Sequence, residues 1–466
     1  MKTHSRRHLL SVLLLLGACS SPQESPHRPG LALNAGVAQD TLVRAPVAMD
    51  LDPRPDFVRV DLVARPLEAG HDGLLYAYNG INPGPIIRAK VGDRLTVNFR
   101  NELDAPTTIH WHGVKVPFDM DGVTWRGAPV EPGDGFQYEF TLNQAGTFWY
   151  HPHFNTDRQV DGGLYGALIV DDPTEPVPDD DLVLIFDTAH EFDEASASLP
   201  DGPMGRTGHG HGRRKAVWLI NGEPAPVKVR YAGGRTVRVR MINVSSSGYV
   251  DLSWPSIRQL AGDQGLLPAM HHPESIVLGP GDRAEVEWRI AEENFDVINA
   301  AWSLNGGRSY EPSETLVEVE VENPAPAAAE LNWPFTGRSV TADPGYVDLL
   351  YAFSGSDRTG IWLINGERFP NVTIQQVEYG STVIIEVRNL SPTEHPFHLH
   401  GLHFEVLTIN GEPPPYQMIE DTFNLRIRDQ VRFKVLADNP GFWMTHCHIL
   451  PHAADGMMTI LHVNDP

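Results

Sequence analysis

Four His-x-His pairs punctuate the chain: His110/His112, His151/His153, His398/His400 and His446/His448. In an extended strand, residues two apart point to the same face, so each pair offers two imidazoles side by side. Imidazole suits divalent transition metals, and eight rings in one place are enough ligands for three ions with open positions. One such pair alone carries little weight, because a satisfied or surface pair is commonplace. A second cluster follows at once: His446-Cys447-His448, then His452, then Met457. With His395, three residues before His398, it supplies two imidazoles, a thiolate and a thioether. That donor set describes a blue-copper electron-transfer site. A tetrahedral zinc site on the same residues leaves the other eight histidines unexplained. Cys447 lies between His446 and His448, so its side chain points to the opposite face of a strand. One ion then sits on one face and the multi-ion cluster on the other, joined by a short length of backbone. The arrangement reads as a one-electron input wired to a centre that reduces O2 with four electrons, chemistry that no side chain supplies.

These side chains need elements to position them, and internal repetition shows which. Residues 92–101 (GDRLTVNFRN), 234–243 (GRTVRVRMIN) and 380–389 (GSTVIIEVRN) share a glycine, an alternating apolar run and a closing asparagine. An Asn-Gly precedes each: Asn79-Gly80, Asn221-Gly222 and Asn365-Gly366. Residues 163–173 match 456–466 without a gap. The result is three units of about 130 residues, whose strand and turn signals predict antiparallel β-sandwiches. The offset of 288 maps His110 and His112 onto His398 and His400, and aligning the unit ends brings His151 and His153 near His446 and His448. Packed face to face, the first and third units bring the eight rings into one interface. The second unit has Leu252 and Trp254 where the first pair would fall, so the fold itself does not require histidine there. Thr107 stands where His395 would, so the first unit has no blue site. The boundaries read as 1–18 signal segment, 19–45 flexible tether, then units over 46–175, 176–325 and 326–466, with Pro-rich linkers near 173–178 and 323–334.

Composition excludes other classes. With 36 basic and 60 acidic residues the net charge is −24, which disfavours a nucleic-acid partner. Gly 42 and Pro 39 fit a turn-rich chain of short strands. Two cysteines exclude a disulfide framework. Lys2, Arg6 and Arg7 precede an apolar run at residues 9–16, too short to span a bilayer but suited to a signal peptide. Residues 5–10 (SRRHLL) resemble a twin-arginine export signal, and 16–19 (LGAC) a bacterial lipobox. The expectation is an exported protein on the periplasmic side of the cell envelope, lipid-anchored through Cys19 and otherwise free of the membrane. With Cys19 lipidated and Cys447 on copper, no disulfide is expected.

The metal-ligating segments resemble the four copper motifs of the multicopper oxidases. They are His110-Trp111-His112-Gly113, His151-Pro152-His153, His395-Pro396-Phe397-His398-Leu399-His400, and His446-Cys447-His448-x3-His452-x4-Met457. Over residues 47–466 the chain looks like a three-domain bacterial laccase-like member. The resemblance implies an all-β fold of three consecutive cupredoxin-like Greek-key sandwiches and four copper ions. It implies a type 1 copper on His395, Cys447, His452 and axial Met457, and a type 2 copper on His110 and His398. It implies a type 3 pair on His112, His151, His153, His400, His446 and His448. The reaction implied is one-electron oxidation of phenols or aromatic amines coupled to reduction of O2 to water, with Cys447, His446 and His448 as the electron route.

Asp121, in residues 118–122 (FDMDG), matches the family's acid near the type 2 copper, although Asp before Gly122 also suits a turn. Many bacterial members place Glu directly after the second type 1 histidine. Here that position is Ala453, which leaves Asp455 or water to carry protons. A metallo-oxidase for Cu(I), Fe(II) or Mn(II) is the rival reading. Specialised cuprous oxidases carry Met-rich insertions and Met or Asp before the first type 1 histidine. This chain has ten methionines in no such cluster and reads Ser391-Pro392-Thr393-Glu394, where Glu394 remains able to approach a cation. Residues 208–214 (GHGHGRR) form a second candidate metal loop, for which a flexible connection is the simpler reading. A non-catalytic envelope scaffold requires gaps in the ligand list, and there are none. A copper nitrite reductase does not carry all four His-x-His pairs.

Overall fold

Three pairs of packed sheets follow one another along the chain. The computed structural model describes residues 42–67, 75–190, 216–300, 302–303, 307–308 and 312–466. The expected signal segment, Cys19, most of the tether and the 208–214 loop lie outside the described residues. No described helix is long and apolar enough to cross a membrane.

The repeated segments become the same strand in three sheets: Arg94–Asn101, Thr236–Asn243 and Thr382–Asn389. Each runs parallel to an earlier strand, respectively Phe57–Pro66, Asp180–His190 and Leu349–Ser356. On its other side each pairs antiparallel with Gly135–Thr141, Arg283–Arg289 or Gln430–Leu436. The sheets are therefore mixed, whereas the apolar alternation pointed to antiparallel pairing. The route of the chain is the reason. In the first unit it crosses to the facing sheet at Gly84–Lys90 before returning beside Phe57–Pro66, and a crossover returns a strand parallel.

The Asn-Gly pairs are tight turns, with φ of 54°, 53° and 54° at Asn79, Asn221 and Asn365 and positive φ at each glycine. Each asparagine also pins the neighbouring strand. Asn79 accepts from the Val63 N–H (2.7 Å) and donates to the Asp61 carbonyl (3.0 Å). Asn221 does the same with Ile185 and Val183, and Asn365 with Ala352 and Leu350. The asparagine closing each repeated strand fixes the loop that follows. Asn101 donates to the Val130 and Ala105 carbonyls (2.8 and 2.9 Å), ahead of His110. Asn389 donates to the Leu425 and Thr393 carbonyls (3.2 and 2.7 Å), ahead of His395.

Strand alternation then sorts core from site. Trp111 is fully buried in the first core, its ring centroid 5.5 Å from Tyr138 and 5.2 Å from Phe140. Truncating a ring so placed costs roughly 3–5 kcal/mol. Its neighbours His110 and His112 face His398 of the third unit, at 5.8 and 3.9 Å between centroids. Cys447 likewise belongs to the third core, with Phe397, Leu399 and Met457, while His446 faces His398. Register locks the pairs together, His110 opposite His151 and His398 opposite His446. Two of the four ligand-bearing strands, Gly146–His151 and Gly441–Cys447, lead into short helices, α1 (Thr156–Asp161) and α2 (Leu450–Ala454), which pack on each other.

Two expected linkers are docked. In the 323–334 joint, Trp333 is buried against Leu260 and Ala261 and donates to Glu287 (2.8 Å). At the end of the expected tether, Arg44 pairs with Asp180 (2.5 Å) and the Leu42 N–H meets the Lys228 carbonyl (2.5 Å).

Candidate metal centre

The eight His-x-His rings converge between the first and third units, seven of them buried and His153 partly exposed. The tightest ring pairs cross from one unit to the other, His110 on His400 and His112 on His398, each 3.9 Å between centroids. His112, His151 and His448 lie 4.9–5.9 Å apart between centroids. His153, His400 and His446 lie 4.8–5.5 Å apart. His110 and His398, 5.8 Å apart, complete the set.

What holds each ring decides which nitrogen is free. His110 donates through Nδ1 to the Asp121 carbonyl (3.0 Å), and His398 to the Asp421 carbonyl (3.0 Å). His151 and His446 donate to the carbonyls of Pro152 and Cys447, both at 2.8 Å. His400 donates Nδ1–H to Asp121 Oδ2 (2.9 Å). Each therefore turns Nε2 toward the cluster. His112 is held by the other nitrogen, with Nε2 3.0 Å from Asp421 Oδ1. The free nitrogens that remain, Nε2 of His110, His151 and His398, Nδ1 of His112 and both of His448, are buried without a hydrogen-bond partner. Each such orphan costs about 1–3 kcal/mol in a chain with nothing to accept its lone pair. Burial, reinforced by the neighbouring rings, holds His151, His153, His400 and His448 well below the usual imidazole range and His446 at about 3. Neutral rings with converging, unpaired lone pairs fit metal ions.

The second cluster is equally closed. His395 Nδ1 lies 3.3 Å and His452 Nδ1 3.7 Å from Cys447 Sγ, and the two nitrogens are 3.3 Å apart. Ser391 Oγ, 2.6 Å from His395 Nε2, holds the far edge of that ring. Burial pushes the Cys447 thiol well up, although the Ile449 N–H at 3.4 Å opposes this, so a bound cation is what makes the thiolate tenable here. Met457 is fully buried in the same core; its carbonyl accepts from the Cys447 N–H (3.1 Å) and its N–H donates to the His452 carbonyl (3.0 Å). Trp362 stacks on His452 at 3.9 Å.

Asp421 and its partners were not visible as site residues in the sequence. Asp421 is buried between His112 and the second unit's Arg283, whose Nη1 lies 2.9 Å from Oδ1. Burial raises its carboxyl, but Arg283 and the bonds from His112 and His398 outweigh that and hold it well below the carboxylate range. Asp263 Oδ2 lies 3.2 Å from the same Nη1 of Arg283. No motif surrounds Asp421, and its equivalence to Asp121 emerges only in the fold, where each backbone carbonyl accepts from a histidine Nδ1. Two expectations change. Glu394 is buried and accepts from Asn424 (2.6 Å) and Trp302 (3.2 Å), so it does not face an approaching cation. Asp455 is directed outward, 41% exposed and 3.8 Å from Arg368, and does not line the cavity that reaches Ala453 and the cluster.

The fold and this centre define a copper-dependent oxidoreductase that acts with oxygen. Family models described as "Multicopper oxidase" match residues 64–175 and 342–466, and the chain belongs to the multicopper oxidase family, whose members bind four coppers. It is 28% identical to the multicopper oxidase MmcO of Mycobacterium tuberculosis, over 96% of this chain and 93% of that protein. It is 27% identical to a laccase of Trametes maxima, over 82% and 88% of the two chains. A multicopper oxidase of Campylobacter jejuni, described as a metallo-oxidase, superposes with a TM-score of 0.78 at 25% identity, covering 92% of this chain and 96% of that one.

Proposed function

We propose that the chain oxidises small reductants, phenols or aromatic amines, by one electron at a type 1 copper, and reduces O2 to water at a trinuclear cluster. Cys447, His395 and His452 with Met457 would hold the type 1 ion. His110 and His398 would hold type 2, and the trios His112/His151/His448 and His153/His400/His446 one type 3 ion each. The converging orphan nitrogens carry this reading. Bound copper supplies the single-electron and oxygen chemistry that the side chains lack. The chain's own contribution is position. Asp121 and Asp421 fix four rings from opposite sides. The backbone of 446–448 joins the Cys447 thiolate directly to both flanking rings, and Trp362 shields the type 1 histidines.

One observation favours the metallo-oxidase alternative: Asp357, 60% exposed, lies 3.8 Å from His452 Nε2 and would attract a cationic reductant. Oxygen uptake by the copper-loaded protein with a phenol, Cu(I) and Fe(II), compared side by side, separates the two. The laccase-like reading expects the phenol to be turned over fastest, and a clear preference for a metal ion replaces it. Cys447→Ser should abolish uptake with every reductant while copper stays in the cluster; retained uptake rejects the electron route. Export and lipidation at Cys19 belong to the same proposal. Intact-mass measurement of membrane-extracted protein should show an acylated Cys19, and a soluble species cut elsewhere rejects it.

A further inference from the structure

We propose that Asp157, on α1 of the first unit, delivers protons for oxygen reduction in place of the carboxylate that Ala453 lacks. The inference rests on the function proposed above. A cavity of about 300 Å3 reaches His151, His153 and His446, and both Ala453 and Asp157 line it. Among the described residues that line it, Asp157 is the only carboxylate. It is half-buried, so one end of the route meets solvent and the other the cluster. The local backbone explains its place. Asn155, at φ 48°, turns the chain just after His153, and α1 starts there against α2. Acid and missing acid therefore face one space from opposite helices.

The walls beside Asp157 are largely apolar, including Trp125, Phe154, Met444 and Leu450. Burial raises its carboxyl above the ordinary 3.8, against the lowering effect of the Arg158 N–H and charge, and the Asp455 charge adds to the rise. The titratable and charged groups around it are Arg158, Asp455 and the cavity's His151, His153 and His446. Reduction of one O2 to two waters consumes four electrons from four one-electron reductants, and four protons. Asp157 supplies no electrons. For each proton its O–H bond breaks, the proton passes along cavity solvent to the oxygen being reduced, and the carboxylate is reprotonated from outside.

The competing role is structural, a first-turn acid that steadies α1. Reoxidation of the fully reduced, copper-loaded chain by O2, followed against pH, decides between them for wild type, Asp157→Asn and Asp157→Asn/Ala453→Glu. Asp157→Asn should reoxidise about a hundredfold more slowly, the lower end of what a positioned acid contributes. It should lose the fall in rate as pH rises through the Asp157 carboxyl, with type 1 reduction unchanged. Ala453 lines the same cavity, so Ala453→Glu should recover most of the loss. Infrared difference titration of the copper-free chain, wild type minus Asp157→Asn, should isolate a raised carboxyl distinct from those of Asp263, Asp282, Glu394 and Glu420. Wild-type reoxidation in Asp157→Asn, or an equal loss in type 1 reduction, overturns the proposal. So does a copper-free Asp157 carboxyl titrating at or below 3.8. A wild-type protein that consumes no O2 instead fails the functional reading beneath it.

Discussion

A histidine ligand is only as well placed as the group holding its second nitrogen. Asp121 holds two, through its carbonyl to His110 and its carboxylate to His400, and so fixes rings from two units at once. Asparagine keeps the size and the carbonyl but exchanges the carboxylate for a weaker, neutral acceptor. Asp121→Asn should slow oxygen reduction by about 10–100-fold while type 1 reduction keeps its rate. Stopped-flow measurement of the two half-reactions checks this, and equal slowing of both rejects it. The ligands were legible in the sequence because strand geometry forces a spacing of two. Their supports were legible only by motif. Asp421 mirrors Asp121, yet Asp121 follows His110 by 11 residues and Asp421 follows His398 by 23, so unequal loops hide the symmetry. Glu394 failed for the opposite reason: adjacency to His395 suggested a shared function, whereas its carboxylate turns to Asn424 and Trp302.

At the scale of elements, the second sandwich carries none of the assigned ligands but presses on the centre. Gly281 has φ 92°, and a Cβ there would lie 3.0 Å from His448 and 3.2 Å from His112. Two residues on, Arg283 opens the strand Arg283–Arg289, fully buried between Asp421 and Asp263. Arg283→Met fills the space but leaves the buried Asp421 carboxylate without its cation. Losing one partner of such a pair costs roughly 3–5 kcal/mol. Denaturant unfolding of the copper-free chain measures it, and a loss under about 1 kcal/mol would mean the carboxylate does not depend on Arg283. The repeats had announced three equivalent strands, because Gly, Asn-Gly and a closing Asn each satisfy a local backbone need. They could not announce the parallel partner, which depends on a crossover through the facing sheet. Nor could Pro-rich composition reveal that the 323–334 segment is docked, since its anchors are scattered: Trp333 and Leu331 pack on the second unit, and the Ala328 carbonyl accepts from Arg289 (3.1 Å).

For the whole molecule, the centre couples stability to pH. Burial first, and neighbouring rings second, lower the imidazoles of His112, His151, His153, His395, His400 and His448. Burial also lowers His398 against the pull of Asp421, and brings His446 to about 3. An unfolded chain titrates these rings near 6.5. Above that pH both states leave them neutral and the contribution is flat. Below it the unfolded chain binds protons that the folded chain refuses, so stability falls with acid by about 1.4 kcal/mol per pH unit for each ring. Thermal unfolding of the copper-free protein should therefore drop steeply from pH 7 to pH 5. A flat profile would show that the rings protonate in place. The same neutrality governs metal uptake. Copper binding ordinarily expels protons from its ligands, but these rings have already shed theirs on folding. The raised Cys447 thiol has not. Loading the folded chain at pH 6 should release chiefly the single Cys447 proton, and Cys447→Ser should remove most of that release. Calorimetry in buffers of different ionisation enthalpy counts the protons, and release of one per ring would contradict a centre held neutral in advance of its metal.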